Sequence, residues 1–310
     1  MTLTEIRQLL AANGIRLTKS LGQNFLHDKH QLRRIVEAAE LTRRDRVIEI
    51  GPGLGQLTEL LLAEAGTVLA IEKDARLVRV LEERFGVTAT GSSNTPQSSG
   101  FVAVGESGAP TVRCASGLTL VHADALDFFK TQQADWRRWK LVSNLPFSVA
   151  SPILVELAQL DKGPSRLVVT VQLEVARRLL AAPATPEYGV LTLLVGVSYA
   201  PCRMFKIPAG CFFPQPKVDS ACVVMDRRRP VLLSGVHKAV FVQLVKSAFA
   251  QRRKMMLKLL KATWPEQKLL AAFDTVGLKH TARAEQASLE QFVQLTRALG
   301  DPAKPRMSNA

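Results

Sequence analysis

The stretch Val47-Ile-Glu49-Ile-Gly51-Pro-Gly53-Leu-Gly55-Gln56 decides the fold. A short strand runs straight into a glycine-rich turn, and Gln56 to Glu64 follows as a helix that Gly66 stops. Glycine lets the backbone turn tightly and approach a ligand, because it carries no Cβ. The spacing is G-x-G-x-G, and Gln56 stands where the G-x-G-x-x-G dinucleotide fingerprint has its last glycine. That disfavours a pyrophosphate site. A tight structural turn would use the same glycines, so the loop alone does not settle a function.

Outward from this stretch, strand and helix alternate. Leu32, Ile35, Val36 and Ala39 mark a helix before Thr42. Thr67 to Ile71 reads as a buried strand, and Leu77, Val78, Leu81 and Phe85 as a helix ended by Gly86. Leu118 to His122, Leu141 to Ser143 and Leu167 to Val171 supply further strands, with a helix from about Glu174. This rhythm predicts an α/β fold with a doubly wound, mainly parallel sheet. After residue 228 the pattern becomes helical: Val236, Val240, Phe241, Leu244, Val245 and Phe249 form one stripe, and Leu269, Leu270, Phe273 and Val276 another. Ser288, with Gln291 three residues on, caps a last helix. The expected organisation is 1–228 as a ligand-binding α/β domain, 229–300 as a small all-helical domain and 301–310 as a flexible tail. Residues 87–117, rich in Gly, Ser, Thr and Pro, read as a disordered insertion. Because it joins a helix end to a strand start, it is expected at the sheet edge away from the ligand crevice.

Composition narrows the class. The 310 residues are 47% apolar, enough for a sizeable core, and no run approaches the ~18 apolar residues of a membrane span. The start of the chain lacks the basic head and apolar block of a signal peptide, so a cytosolic location is expected. Cys114, Cys202, Cys211 and Cys222 form no C-x-x-C pair, and reduced thiols are expected. The net charge of +14, from 41 basic and 27 acidic residues, points to a polyanionic partner. Between Lys246 and Lys261 there are six Lys/Arg and no acid. Arg252, Arg253, Lys254 and Lys258 are the candidate residues for gripping that polyanion, RNA once the resemblance below is added, although a solvated helix face would have the same composition.

Three polar groups sharpen the glycine turn. Glu72 ends the second strand, where a carboxylate accepts bonds from ribose hydroxyls. Asp124 follows the third, placed to accept a bond from an exocyclic adenine amine. Asn144-Leu145-Pro146-Phe147 ends the fourth. An adenine amine is a poor nucleophile because its lone pair is delocalised into the ring. An Asn side-chain carbonyl and a backbone carbonyl that both accept its hydrogens draw the nitrogen toward tetrahedral geometry. Pro146 removes a competing N–H, and Phe147 offers a face for an extruded base, worth roughly 1–3 kcal/mol. A plain proline turn with a core phenylalanine would look similar.

Together with Lys19-Ser-Leu-Gly-Gln-Asn-Phe-Leu26, Phe213-Pro-Gln-Pro-Lys-Val-Asp-Ser220 and Gln251-Arg-Arg-Lys254, these elements resemble the small-subunit ribosomal RNA adenine N6,N6-dimethyltransferases, whose loss gives kasugamycin resistance. The resemblance runs from about Thr18 to Leu299, the insertion excepted. It implies a class I methyltransferase (Rossmann-like) fold and S-adenosyl-L-methionine as cofactor. The implied reaction is dimethylation of two adjacent adenosines in a hairpin near the 3′ end of small-subunit rRNA, on an immature subunit, with no role for DNA or membrane. Asn24 and Leu26 would close over the methionine part, with Gly51, Gly53 and Gly55 along the cofactor. Glu72 would hold the ribose and Asp124 the adenine, with Asn144 between cofactor and target. Tyr is common in the family where this chain has Phe147, and Thr where it has Met255. Two other readings remain: a large-subunit rRNA methyltransferase of the macrolide-resistance type, and a ribosome-assembly factor without catalysis.

Overall fold

The computed structural model describes residues 1–15, 17, 22–91, 117–132, 134–251 and 253–300. Arg252, Cys114, the Lys19-Ser-Leu start of the Asn24 block, most of the insertion and the 301–310 tail lie outside the described residues. In chain order the elements are α1 (Leu3–Ala12), β1 (Phe25–Leu26), α2 (Lys29–Ala38), β2 (Arg46–Ile50), α3 (Gln56–Glu64), β3 (Thr67–Glu72), α4 (Ala75–Phe85), β4 (Thr90–Gly91), β5 (Leu118–His122), α5 (Ala125–Thr131) and β6 (Trp139–Asn144). Then follow α6 (Ala150–Gln159), β7 (Arg166–Gln172), α7 (Leu173–Leu179), α8 (Val190–Gly196), β8 (Tyr199–Ile207), β9 (Phe212–Phe213), β10 (Ser220–Arg227), α9 (Val236–Ala248), α10 (Met256–Leu260), α11 (Glu266–Thr275) and α12 (Leu289–Leu299).

The main sheet has the order β4-β5-β3-β2-β6-β7-β10-β8. Strands β4 through β7 are parallel neighbours, and β10 runs antiparallel to β7. Residues Val47 to Ile50, Val68 to Glu72 and Leu167 to Val171 are buried throughout, as expected for parallel strands covered on both faces. The chain winds outward from β2 to β3 and β5, then returns to β6 on the other side of β2. The switch point therefore falls between β2 and β6, where a doubly wound sheet opens a crevice at its carboxyl edge. Helix α1 packs Ile6 and Leu10 with Phe25, Leu54, Leu77 and Val80, which supports the glycine turn from behind.

Several features depart from the sequence expectations. Strands β8 and β10 extend the sheet beyond β7, and a separate two-stranded sheet pairs Phe25 with Phe213 and Leu26 with Phe212. That small sheet lays the Asn24 block beside the Phe213 block. The chain divides into Met1–Ala176 with Pro201–Arg227, and Arg177–Ala200 with Arg228–Ala310. The main division thus falls next to residue 228, but Arg177–Ala200 groups with the helical unit, where α8 packs on α9.

The place of the insertion also needs correcting. Thr90 and Gly91 pair in parallel with Val121 and His122, at the carboxyl end of β5. Gly117 re-enters at the opposite end, where its carbonyl accepts the Val68 N–H at 2.9 Å. The described flanks therefore lie at opposite ends of β5, Gly91 on the crevice side and Gly117 at the far edge, and the residues between them lie outside the described residues. The helix-end-to-strand-start rule missed this because two residues of strand intervene first.

In the helical unit, Phe241, Leu244, Leu269, Phe273, Phe292 and Leu299 are buried. Phe249 stacks on Phe292, with centroids 6.1 Å apart. Ser288 and Gln291 form the expected capping box on α12. Among the described residues no helix is long and apolar enough to cross a membrane, and no group of His, Cys, Asp or Glu could hold a metal ion. Among the described residues, Cys202, Cys211 and Cys222 form no disulfide.

Candidate active site

A cavity opens at the carboxyl edge beside the switch point. It is lined by Asn24 and Leu26, by Glu49, Gly51 and Gly53, by Glu72 to Asp74, by Asp124, and by Asn144 to Pro146. Of the sequence-named cofactor residues, Asn24, Leu26, Gly51, Gly53, Glu72, Asp124 and Asn144 come together here. Gly55 does not line it. A Cβ on Gly55 would lie 2.6 Å from the Phe85 ring, so this glycine admits α4 against the turn. Gly53, at φ +62°, has the Phe25 ring 2.8 Å from where a Cβ would stand. The turn and β1 are thus fitted to each other, and a side chain at Gly53 would push the Asn24 segment outward.

Glu72 is 6% exposed and accepts three backbone bonds: Gly53 N–H to Oε2 at 3.2 Å, and Lys73 and Asp74 N–H to Oε1 at 2.8 and 2.9 Å. Burial nevertheless pushes its carboxyl up to about 7, because the three donors only partly offset desolvation. Glu49, whose Oε2 accepts Thr58 Oγ1 at 2.7 Å, is driven up to about 8 by burial, with the nearby Glu72 charge adding to the shift. Asp124 differs. Burial opposes its ionisation, but the Lys73 ammonium at 2.8 Å and the Leu126 and Asp127 N–H groups outweigh it and hold it below the ordinary value. Oδ1 of Asp124 also serves as the side-chain cap of α5. The cavity wall is therefore rich in acceptors and suits a ligand that carries positive charge and hydroxyl or amine donors.

Asn144 sits at the end of β6, next to the switch point. Its Nδ2 donates to the Asn24 backbone carbonyl at 2.9 Å. That bond fixes the amide orientation, since a carbonyl can only accept. Oδ1 is left buried without a partner. A buried acceptor without a donor costs ~1–3 kcal/mol, which a ligand donor would recover. Leu145 is 1% exposed, and its N–H donates to Thr170 O at 3.2 Å. The Pro146 carbonyl closes a turn by accepting Val149 N–H at 3.1 Å. Phe147 is half-buried outside the cavity wall, edge-on to Phe212 at 6.0 Å.

The sequence reading gave no role to Glu49, Lys73 or Asp74, nor to Gln56 beyond the motif it breaks. Asp74 accepts Gln23 Nε2 at 2.8 Å and caps α4, which ties the Asn24 segment to the end of β3. The tell-tale for Glu49 was a carboxylate inside an otherwise apolar strand. In the helical unit, Arg253, Lys254 and Lys258 are exposed at the junction of α9 and α10, and have no ion pair among the described residues. Met256 and Leu257 bury the other face of α10.

A doubly wound sheet, a glycine turn at its switch point and carboxylates at the end of β3 and just past β5 define a class I methyltransferase. Residues 14–92 and 109–301 match the model of the ribosomal RNA adenine dimethylase family, and the chain belongs to that family. The gap in the match narrows the insertion to 93–108. The chain is 36% identical over 305 residues to the ribosomal RNA small subunit methyltransferase A of Latilactobacillus sakei, covering 95% of this chain and 94% of that protein. It is 35% identical to the protein of the same name in Myxococcus xanthus, covering 97% of each. Among solved structures, the 23S rRNA methyltransferase ErmE aligns with TM-score 0.60 at 26% identity, over 89% of this chain and 99% of that one. A dimethyladenosine transferase from Plasmodium falciparum shares the fold with TM-score 0.66 at 22% identity, over 87% and 95%.

Proposed function

We propose that this protein dimethylates the N6 amines of two adjacent adenosines in a hairpin near the 3′ end of small-subunit rRNA, using S-adenosyl-L-methionine, during ribosome maturation in the cytoplasm. The observation that carries the reading is the oriented, unpartnered Oδ1 of Asn144 at the switch point. The names of the curated relatives support the small-subunit substrate over a large-subunit one.

When bound, S-adenosyl-L-methionine supplies an electrophilic methyl group on a positively charged sulfur. Asp124 would accept from the cofactor's adenine amine and Glu72 from its ribose hydroxyls, with Asn24 and Leu26 in the same cavity wall. Asn144 Oδ1 accepts one hydrogen of the target amine. The Leu145 carbonyl, next along the chain from Asn144, accepts the other. Both bonds draw the nitrogen lone pair out of conjugation with the ring. Phe147 stacks on the extruded base. No strong base is required, because the nitrogen becomes acidic on alkylation. The rate comes mainly from positioning, where effective molarities reach ~10⁵–10⁸ M.

The test is transfer of labelled methyl groups to immature small subunits, large subunits, naked RNA and DNA, with mapping of the modified base. Dimethyladenosine on small-subunit RNA is expected, together with loss of at least ~10²-fold in rate for Asn144→Ala at little change in cofactor affinity. Transfer confined to another substrate, or normal turnover by a folded Asn144→Ala protein, would overturn the assignment.

A further inference from the structure

The cavity leaves a second polar atom without a partner. Gln56, the first residue of α3, is 6% exposed, lines the cavity and has its Nε2 buried with no acceptor. It is a donor in a wall otherwise dominated by carboxylates: Glu49, Glu72, Asp74 and Asp124. The lysine in that wall, Lys73, already pairs with Asp124 at 2.8 Å. The N-cap of helix α3 is Gly55, which offers no side-chain cap, so its first-turn N–H groups add to the positive potential beside Gln56.

The strand order says which part of the cofactor meets this donor. Across the crevice run β5, β3, β2 and β6, which carry Asp124, Glu72, the glycine turn with Gln56, and Asn144 in turn. Resting on the cofactor assignment above, adenine lies at Asp124 and ribose at Glu72. The next station, the turn between β2 and α3, then receives the amino-acid end, with sulfur directed toward Asn144. That end bears the cofactor's carboxylate, its one anionic group. We propose that Gln56 reads this carboxylate by donating Nε2–H to it, and so sets specificity for the intact amino-acid moiety over the bare nucleoside.

The test compares three ligands by calorimetry: S-adenosylhomocysteine, its analogue lacking only the carboxylate, and 5′-methylthioadenosine, which lacks the amino-acid end. Gln56→Leu should weaken S-adenosylhomocysteine about tenfold or more, the loss of one charge-assisted bond, and change the other two less than about twofold. Gln56→Glu keeps the shape but sets anion against anion, and should lose more on S-adenosylhomocysteine alone. Melting of the ligand-free variants checks the fold, and Gln56→Met replaces either variant that melts early. Equal losses on all three ligands, or no loss on any, would overturn the proposal. A parent protein that binds none of the three would instead overturn the cofactor assignment itself.

Discussion

At the scale of single residues, the site works by leaving groups deliberately unmatched. Asn144 Oδ1 is a buried acceptor without a donor, and Glu49 is a carboxyl whose charge the fold alone does not support. The Glu49 shift has a measurable consequence. Its folded value, about 8, lies above the ordinary carboxylate value, so its contribution to stability is fully present below about pH 4.5 and is lost as pH rises through 8. The ligand-free protein should therefore melt at falling temperature from pH 5 to pH 8.5. Glu49→Gln should flatten that slope and raise stability at pH 8.5 by on the order of 2 kcal/mol. Parallel melting curves for parent and variant across this range would show that Glu49 is not buried in its charged form. Glu72, at about 7, adds to the parent's slope and leaves a smaller residual slope in the variant.

At the scale of elements, what was legible in the sequence depended on length and period. The parallel strands β2, β3, β5, β6 and β7 and the amphipathic helices α4, α9 and α12 announce themselves through apolar runs or helical spacing. Strands β1 and β9 have two residues each and therefore no period to read. Strand β8 alternates poorly and carries an exposed Pro201 as its third residue, as an edge strand permits. The glycines of the turn were legible as a group but not individually, because their neighbours come from distant segments. Gly55 and Gly86 make the difference testable. Both have positive φ, but only at Gly55 would a Cβ run into a ring, that of Phe85. Gly86→Ala should cost about 1 kcal/mol, the backbone term alone. Gly55→Ala should cost about 2–4 kcal/mol, since packing strain adds to it. Urea unfolding of both variants decides this, and equal losses would mean that Phe85 moves aside freely.

At the scale of the whole molecule, charge and chemistry occupy different parts of the chain. The cavity wall in the α/β unit is acidic, whereas the net charge of +14 is expressed elsewhere, in part by Arg253, Lys254 and Lys258. These three should grip RNA phosphates without reading bases. Neutralising any one to Gln should then lower the logarithmic salt slope of RNA affinity by ~0.7–0.9 and weaken related and unrelated RNAs alike. Filter binding at several salt concentrations measures it. Unchanged slopes in all three folded variants would reduce the cluster to solvated surface. The bond between Asn144 Nδ2 and the Asn24 carbonyl, which bridges 120 positions of chain, has a consequence for the birth of the protein. The segment that aims the amide is held down by Phe212 and Phe213, made far later in synthesis. A polypeptide released early carries Asn144 with its amide free to swing, and with half of its swing presenting hydrogens to an amine that needs an oxygen. A polypeptide that ends before Phe212 should therefore lack the pairing that holds the aiming segment, and slow methyl transfer is expected of it.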